Sequence, residues 1–357
     1  MRRIALALAA SACLLAPSAR GQSAEWKAQI QEAVDLFFQG KFEACIAAAE
    51  RALGTAERER GPRHPTVAAS LNRLAECRRA QGQYAAAEPL YKRSLEIRER
   101  VRGAESREVA QTLDNLGQLY LLQARFDDAE PAFRRALAIV EKLGDDEFEL
   151  GKILNGYGEL LRERGRTGEA EPLYRRSLGL WEKIRAGDRP PPGSVNQYVF
   201  SLLGVAAIEA QREAWDRAEP LYKRAIEVVD ETRDRDHPMM ARGLGGLASL
   251  YVARGEMDRA EPLFKRAIAI LEDTLDRDHP RMAVLLQGLS AVYASRGEYV
   301  AAEALLKRAL AIRTAALGER HPEVAVTLER LAAVYAKDGK PAEAKAAADR
   351  AAAARAR

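Results

Sequence analysis

Ala87-Glu88-Pro89-Leu90-Tyr91-Lys92-Arg93 returns as Ala170 to Arg176, as Ala218 to Arg224 and, with phenylalanine for tyrosine, as Ala260 to Arg266. Worn copies begin at Cys45, Ala129, Ala302 and Ala344, and the eight anchors are spaced by 42, 42, 41, 48, 42, 42 and 42 residues. A fixed period of this size marks stacked repeats, in which each unit buries its apolar face against its neighbours. The chain is therefore read as an array of eight units and not as an enzyme fold.

Each unit carries two helical runs. In Pro280 to Ser295, residues Ala283, Leu286, Leu289, Ser290 and Tyr293 share one face, and Ala301 to Leu317 follows as the second run. Gly297 separates them, and Gly40, Gly82, Gly165, Gly255 and Gly339 hold the same place in other units. Glycine takes the left-handed conformation at a helix end at low cost, so the unit reads as a helical hairpin. Leu116-Gly117-x-x-Tyr120, Leu247-Ala248-x-x-Tyr251, Leu289-Ser290-x-x-Tyr293 and Leu331-Ala332-x-x-Tyr335 open the units. Ala87-x-x-x-Tyr91, Ala129-x-x-x-Phe133, Ala170-x-x-x-Tyr174, Ala218-x-x-x-Tyr222 and Ala260-x-x-x-Phe264 answer them, small residues letting the backbones approach while the aromatic fills the gap. The opening tyrosine fails at Arg78, Leu161 and Glu209. The end units carry Ala49 and Ala348 in place of the aromatic, as terminal repeats with one solvent face do.

These motifs resemble the tetratricopeptide repeat. The period, the His-Pro before the first helix and the Ala-Glu-Pro-Leu-Tyr-Lys-Arg string are similar to the variant of kinesin light chains and many bacterial proteins, and the resemblance covers roughly nine-tenths of the chain. It implies an all-α fold, an α-solenoid wound as a right-handed superhelix of about eight helix-turn-helix hairpins. It also implies a non-catalytic scaffold without cofactor that binds a protein or peptide in a concave groove lined by first helices. Carried over by position, the groove candidates are Asn72, Arg73, Glu76 and Arg79 in unit 2, Gln111, Asp114, Asn115 and Gln118 in unit 3, and Lys152, Asn155, Glu159 and Arg162 in unit 4. Asn72, Asn115 and Asn155 are expected to face outward from the core. Units 5 to 7 carry Phe200, Leu203, Gly204, Ala207, Arg242, Gly245, Gly246, Ser249, Gln287, Gly288 and Ala291 instead, a smaller and more apolar face that would let a helix or apolar segment lie close.

Met1-Arg2-Arg3 and the apolar run Ile4 to Ala16 read as a secretory signal peptide over 1–21, with cleavage after Gly21 leaving Gln22; Ala19 and Ala24 are other cleavage points. Two alternatives stand beside it: a lipoprotein processed and membrane-tethered at Cys13, although Ala10 replaces the usual leucine, and a cytoplasmic chain with an apolar first helix. The expected product is exported, periplasmic or secreted, with units 1–4 in 22–186, a proline-rich loop in 187–195 and units 5–8 in 196–357. Arg189-Pro190-Pro191-Pro192 cannot continue a helix, and is read as a longer loop in a continuous superhelix before a hinge.

Without residues 1–21 the charge falls from +4 to +1, with 53 basic against 52 acidic side chains, so no nucleic-acid partner is advertised. The recurring pairs Lys92-Arg93, Arg134-Arg135, Arg175-Arg176, Lys223-Arg224, Lys265-Arg266 and Lys307-Arg308 share their units with glutamates and read as solvated, ion-paired faces. His64, His237, His279 and His321 each precede a proline and mark helix starts; equivalent positions of stacked hairpins lie on the order of 10 Å apart, too far to share a metal. Cys45 stands at the small crossing position and reads as a buried apolar residue, with a disulfide to Cys77 as the alternative in an oxidising compartment. Asp127-Asp128 and Asp145-Asp146 fall at a helix start and in a loop, where acids meet free N–H groups or water. No acid–base pair or nucleophile is assembled. Self-assembly, or a structural part in a membrane-tethered complex, is the second reading, and Ala342 to Arg357 would supply the docking face.

Overall fold

The computed structural model describes residues 23–187, 191, 193–231, 238–274 and 277–355. The signal segment, Cys13, Gln22, Pro190, Pro192 and His237 lie outside them. Eight helix pairs follow in order: α1 (Ala24–Phe38) and α2 (Phe42–Arg60), α3 (Pro65–Ala80) and α4 (Tyr84–Arg102), α5 (Arg107–Leu122) and α6 (Phe126–Leu143), α7 (Glu147–Glu163) and α8 (Thr167–Arg185), α9 (Ser194–Gln211) and α10 (Trp215–Glu231), α11 (Pro238–Ala253) and α12 (Met257–Thr274), α13 (Pro280–Ser295) and α14 (Tyr299–Leu317), and α15 (Pro322–Lys337) and α16 (Pro341–Arg355). Each helix packs on the one before and the one after, which makes an α-solenoid of eight hairpins. Asp127 and Asp128 lie in the first turn of α6, and the Asp146 carboxylate caps α7 by accepting from the Glu149 N–H.

The hairpin turns need a left-handed residue. Gly40, Gly82, Gly165, Gly255, Gly297 and Gly339 supply it with φ between 72° and 84°, and Ala124 and Glu213 adopt φ of 51° and 57° at the same point of units 3 and 5. Those two pay a steric cost that glycine avoids.

Where a second helix carries its aromatic, as at Phe133, Tyr174, Tyr222 and Phe264, the ring is a wedge against neighbouring first helices. The Phe133 ring lies so close to Gly117 of its own unit and Gly156 of the next that a Cβ there would stand 2.9 and 2.6 Å from it. Tyr174 lies likewise against Gly158 and Gly204, Tyr222 against Gly246, and Phe264 against Gly288. Trp181 of α8 and Tyr198, Val199 and Leu202 of α9 share one core cluster, so packing continues past the long connection between units 4 and 5.

A ladder of ion pairs runs beside the wedges. The glutamate of each repeated string, as Glu88, Glu219 and Glu303, pairs with the lysine four residues on, at 2.7, 3.0 and 2.7 Å, and with a basic residue of the next unit, at 2.6 Å for Arg125, 2.8 Å for Arg254 and 2.9 Å for Lys340. The next unit's tyrosine joins: Tyr251 donates to Glu219 at 2.9 Å. Unit 5 has Glu209 instead, which takes Arg175 and Arg217 at 3.1 Å. The second basic residue is paired too, Arg93 with Glu57, Arg135 with Glu99 and Arg308 with Glu272. Cys45 is fully buried at the crossing, and it also forms a disulfide with Cys77, the Cα atoms 5.8 Å apart, which crosslinks α2 and α3.

The superhelix winds until its own turns meet. Five units on, His279 donates from Nε2 to the Ala80 carbonyl at 2.8 Å, and His321 to the Gln123 carbonyl at 2.9 Å, while Pro280 packs on Gly82. Each of these histidines also caps its helix, Nδ1 accepting the N–H of Arg281 or Glu323, so one neutral imidazole serves both the cap and the seam.

Candidate functional site

The first helices of units 2 to 4 carry an inner row of polar side chains, and neighbouring units tie that row together. The Glu76 carboxylate accepts from Asn72 Nδ2 and Asn115 Nδ2, each at 2.8 Å, and pairs with Arg73 at 2.6 Å. Burial works against its charge, but Arg73, Lys152 and Arg79 outweigh that and hold its pKa below the usual range. Lys152 stands among Glu149 at 3.1 Å and Asp114 at 3.6 Å, and burial raises both carboxyls. Asp114 is buried, and Lys152, Gln118 and Arg79 support its charge without overcoming the burial that raises its pKa.

In unit 4, Asn155 donates to the Gln197 carbonyl and Oε1 at 3.0 and 3.1 Å and accepts from Ser201 at 2.8 Å. Glu159 receives Arg162, the Tyr174 hydroxyl at 2.5 Å and, from two units further on, Arg242 at 3.0 Å. Burial raises its pKa, and Arg162 and Arg242 overcome this to hold it at about 2. Arg242 stacks on Phe200 with its guanidinium carbon 4.0 Å from the ring centre. Arg79 points its Nε at the Tyr91 hydroxyl, 3.4 Å away, and Gln111 and Gln118 are half-buried.

Two expectations are corrected. Asn72, Asn115 and Asn155 do not face outward: they are 8, 6 and 1% exposed and hydrogen-bond across unit boundaries, because an amide can satisfy its donors and acceptors on the next helix while staying dry. Gly204, Gly246 and Gly288 are not open groove floor, because the aromatic of the preceding unit lies on each; Gly245 is covered by Leu285. Among the sequence candidates, Arg73, Glu76, Arg79, Gln111, Gln118, Lys152, Glu159 and Arg162 retain partial solvent access. Missed altogether were Tyr84 and Arg281, whose surroundings are made by units far apart in the chain. Among the described residues no group of His, Cys, Asp and Glu is placed to hold a metal, and no helix is long and apolar enough to cross a membrane.

A family model described as tetratricopeptide repeat matches residues 27–99, 66–142, 198–273, 240–315 and 280–357, and a second model of the same description matches 115–183. Among solved structures, the Rap conjugation gene regulator of the plasmid pLS20, in complex with the Phr* peptide, is similar with a TM-score of 0.64 at 19% identity, over 83% of this chain and 77% of that one. BtubC (BKLC) from P. vanneervenii is similar with a TM-score of 0.51 at 22% identity, over 64% of this chain and 91% of its own. A putative kinesin light chain of Podosopora anserina with nearly identical TPR-like repeats is 21% identical over 57% of this chain and 95% of its own, with a TM-score of 0.43. No curated protein matches the sequence. At these identities the likeness is one of fold.

Proposed function

From a chain that belongs to the tetratricopeptide-repeat family, we propose a non-catalytic, exported scaffold that holds a protein or peptide segment within the inner face of its superhelix. The observation that carries this reading is the row of half-buried charged and amide groups along α3, α5 and α7. They are held in place by neighbouring units and still reached by solvent, as with Arg73, Glu76, Lys152 and Arg162. Such preorganised groups hydrogen-bond an extended backbone or a charged end at little ordering cost. The Rap regulator of similar fold, solved with a peptide, supports the choice of a peptide ligand. Export rests on the basic start and apolar run of residues 1–21.

The test is an affinity pull-down from the exported fraction with a C-terminal tag, with the bait's N-terminus read by mass spectrometry. The expected result is a bait starting near Gln22 and a stoichiometric partner that is lost with Gln111→Arg, a bulky charge at an inner position. A bait retaining Met1 in the cytosol overturns export, and a bait lipidated at Cys13 replaces it with membrane tethering. A partner retained by Gln111→Arg and lost by the outer-face Arg308→Glu places the site on the convex side.

A further inference from the structure

The seam between turns brings side chains of unit 2 up to side chains of units 6 and 7. The hydrogen bond from His279 to the Ala80 carbonyl, 199 residues away, brings the first turn of α13 against the end of α3, so Arg281 comes up beside Arg79 and Tyr84. Arg242 of α11 adjoins them. The charge there is not balanced. Arg73, Lys152, Arg162 and Arg242 each meet a carboxylate at 3.1 Å or closer. Among the described residues Arg281 has no hydrogen-bond or ion-pair partner for its guanidinium, and Arg79 has only the Tyr91 hydroxyl.

Arg281 is exposed, and the protein near it, followed by the repulsion of Arg242, lowers its pKa to about 10. The acidic group that bears on it is the Tyr84 phenol, itself pushed up by burial and so neutral. Tyr84 is 5% exposed, and its hydroxyl has no partner among the described residues. The unpaired Arg281 guanidinium, the Arg79 guanidinium that shares Glu76 and Asp114 with Arg73 and Lys152, and a free hydroxyl, brought to one seam, make a cradle for an anion. Planar forks that accept two oxygens fit a carboxylate.

We propose that Arg79, Tyr84 and Arg281 form a carboxylate-binding site across the seam between units 2 and 7, which takes an acidic side chain or the C-terminal carboxylate of a bound peptide. This rests on the reading of the inner face as a peptide groove. Because the site's members belong to successive turns, an occupant ties the turns together. The like charges brought together by the seam repel until it arrives, so binding and closure of the superhelix favour each other.

The test uses the chain from Gln22 and fluorescein-labelled decapeptides of alternating alanine and glutamate, with a free C-terminus, with an amidated C-terminus, and with glutamine for glutamate and an amidated C-terminus. Fluorescence anisotropy at fixed salt is expected to show binding that Arg281→Gln and Arg79→Gln each weaken tenfold or more and Tyr84→Phe about threefold. The outer-face variant Arg93→Gln is expected to leave it unchanged. The Glu peptides, free and amidated, binding alike assign the site to side chains; loss with the amide assigns it to the chain end. Arg281→Gln is also expected to melt no lower than the parent without peptide, because it removes an unpaired charge. Equal affinity for the amidated glutamine peptide, which carries no carboxylate, or equal loss with Arg93→Gln, reduces the effect to general attraction and overturns the site. If the native partner binds the Arg281→Gln variant as well as the parent while Gln111→Arg releases it, the groove stands and the seam site falls. Release by neither removes the groove reading itself.

Discussion

Units 2 to 4 and units 5 to 7 share one backbone plan and differ in what joins neighbouring first helices. In the first group the join is polar: Asn72, Asn115 and Glu76 bond across a unit boundary, and Lys152 bridges acids of two units. In the second it is steric, with Tyr222 and Phe264 lying on Gly246 and Gly288. Unit 4 carries both, since Gly156 takes Phe133 while Asn155 bonds Gln197. A tetratricopeptide-type array thus tolerates two chemistries at one position. The polar one leaves charge within reach of solvent, and the steric one spends the position on packing.

The largest break in this comparison is expected at the N-terminal end, where a covalent link adds to the polar joins. Replacing Cys45 and Cys77 by alanine frees a loop of 32 residues. Chain entropy sets the loss at roughly 3–4 kcal/mol, read from denaturant unfolding of oxidised parent and variant. An unchanged midpoint would mean that units 1 and 2 are not part of the cooperative structure.

Next comes the steric half. Gly204→Val or Gly288→Val drives a side chain into a ring that a bare Cβ would already approach to 2.3 Å, and about 1–3 kcal/mol should be lost by overpacking. Gly168→Ala, with nothing within 4 Å, is the control and is expected to melt no lower. Equal melting of Gly204→Val and the control would show that the wedge can retreat.

In the polar half, Asn155→Ala removes the amide's bonds to Ser201 and Gln197, which keep each other and Ser177 as partners, at a cost of about 0.5–1.5 kcal/mol. A loss of binding to the inner face by this variant must therefore be separated from a loss of fold by circular dichroism at the binding temperature.

The smallest effect should be the pH response of the seam. Burial lowers the pKa of His321 from its ordinary 6.5, with the Gln123 carbonyl opposing in part, so the unfolded chain binds the proton more readily than the folded one. The stabilisation is complete above about pH 6.5 and falls as pH drops toward the folded value, where an imidazolium N–H would face the N–H of Glu323. X-ray scattering is expected to show a larger radius of gyration at pH 5 than at pH 7.5, with the difference reduced in His321→Gln. A pH response identical in parent and variant would assign it to other groups.

Period, hairpin, wedge aromatics and left-handed glycines are local or repeated, and can be read from the residues because each unit confirms the others. Sequence therefore determined the fold class, the eight units and the family. Burial was not legible there. Asn72 and Arg73 are both polar in a string, and only the neighbouring helix decides that the first is dry and the second wet. Nor was the seam. Arg281 looks like one more arginine after a His-Pro, and it meets Arg79 and Tyr84 only because the winding angle accumulated over five units brings α13 back against α3. Small rotations per repeat sum over the array, and no single repeat encodes that sum, so the tertiary structure alone decided which charges were left without partners.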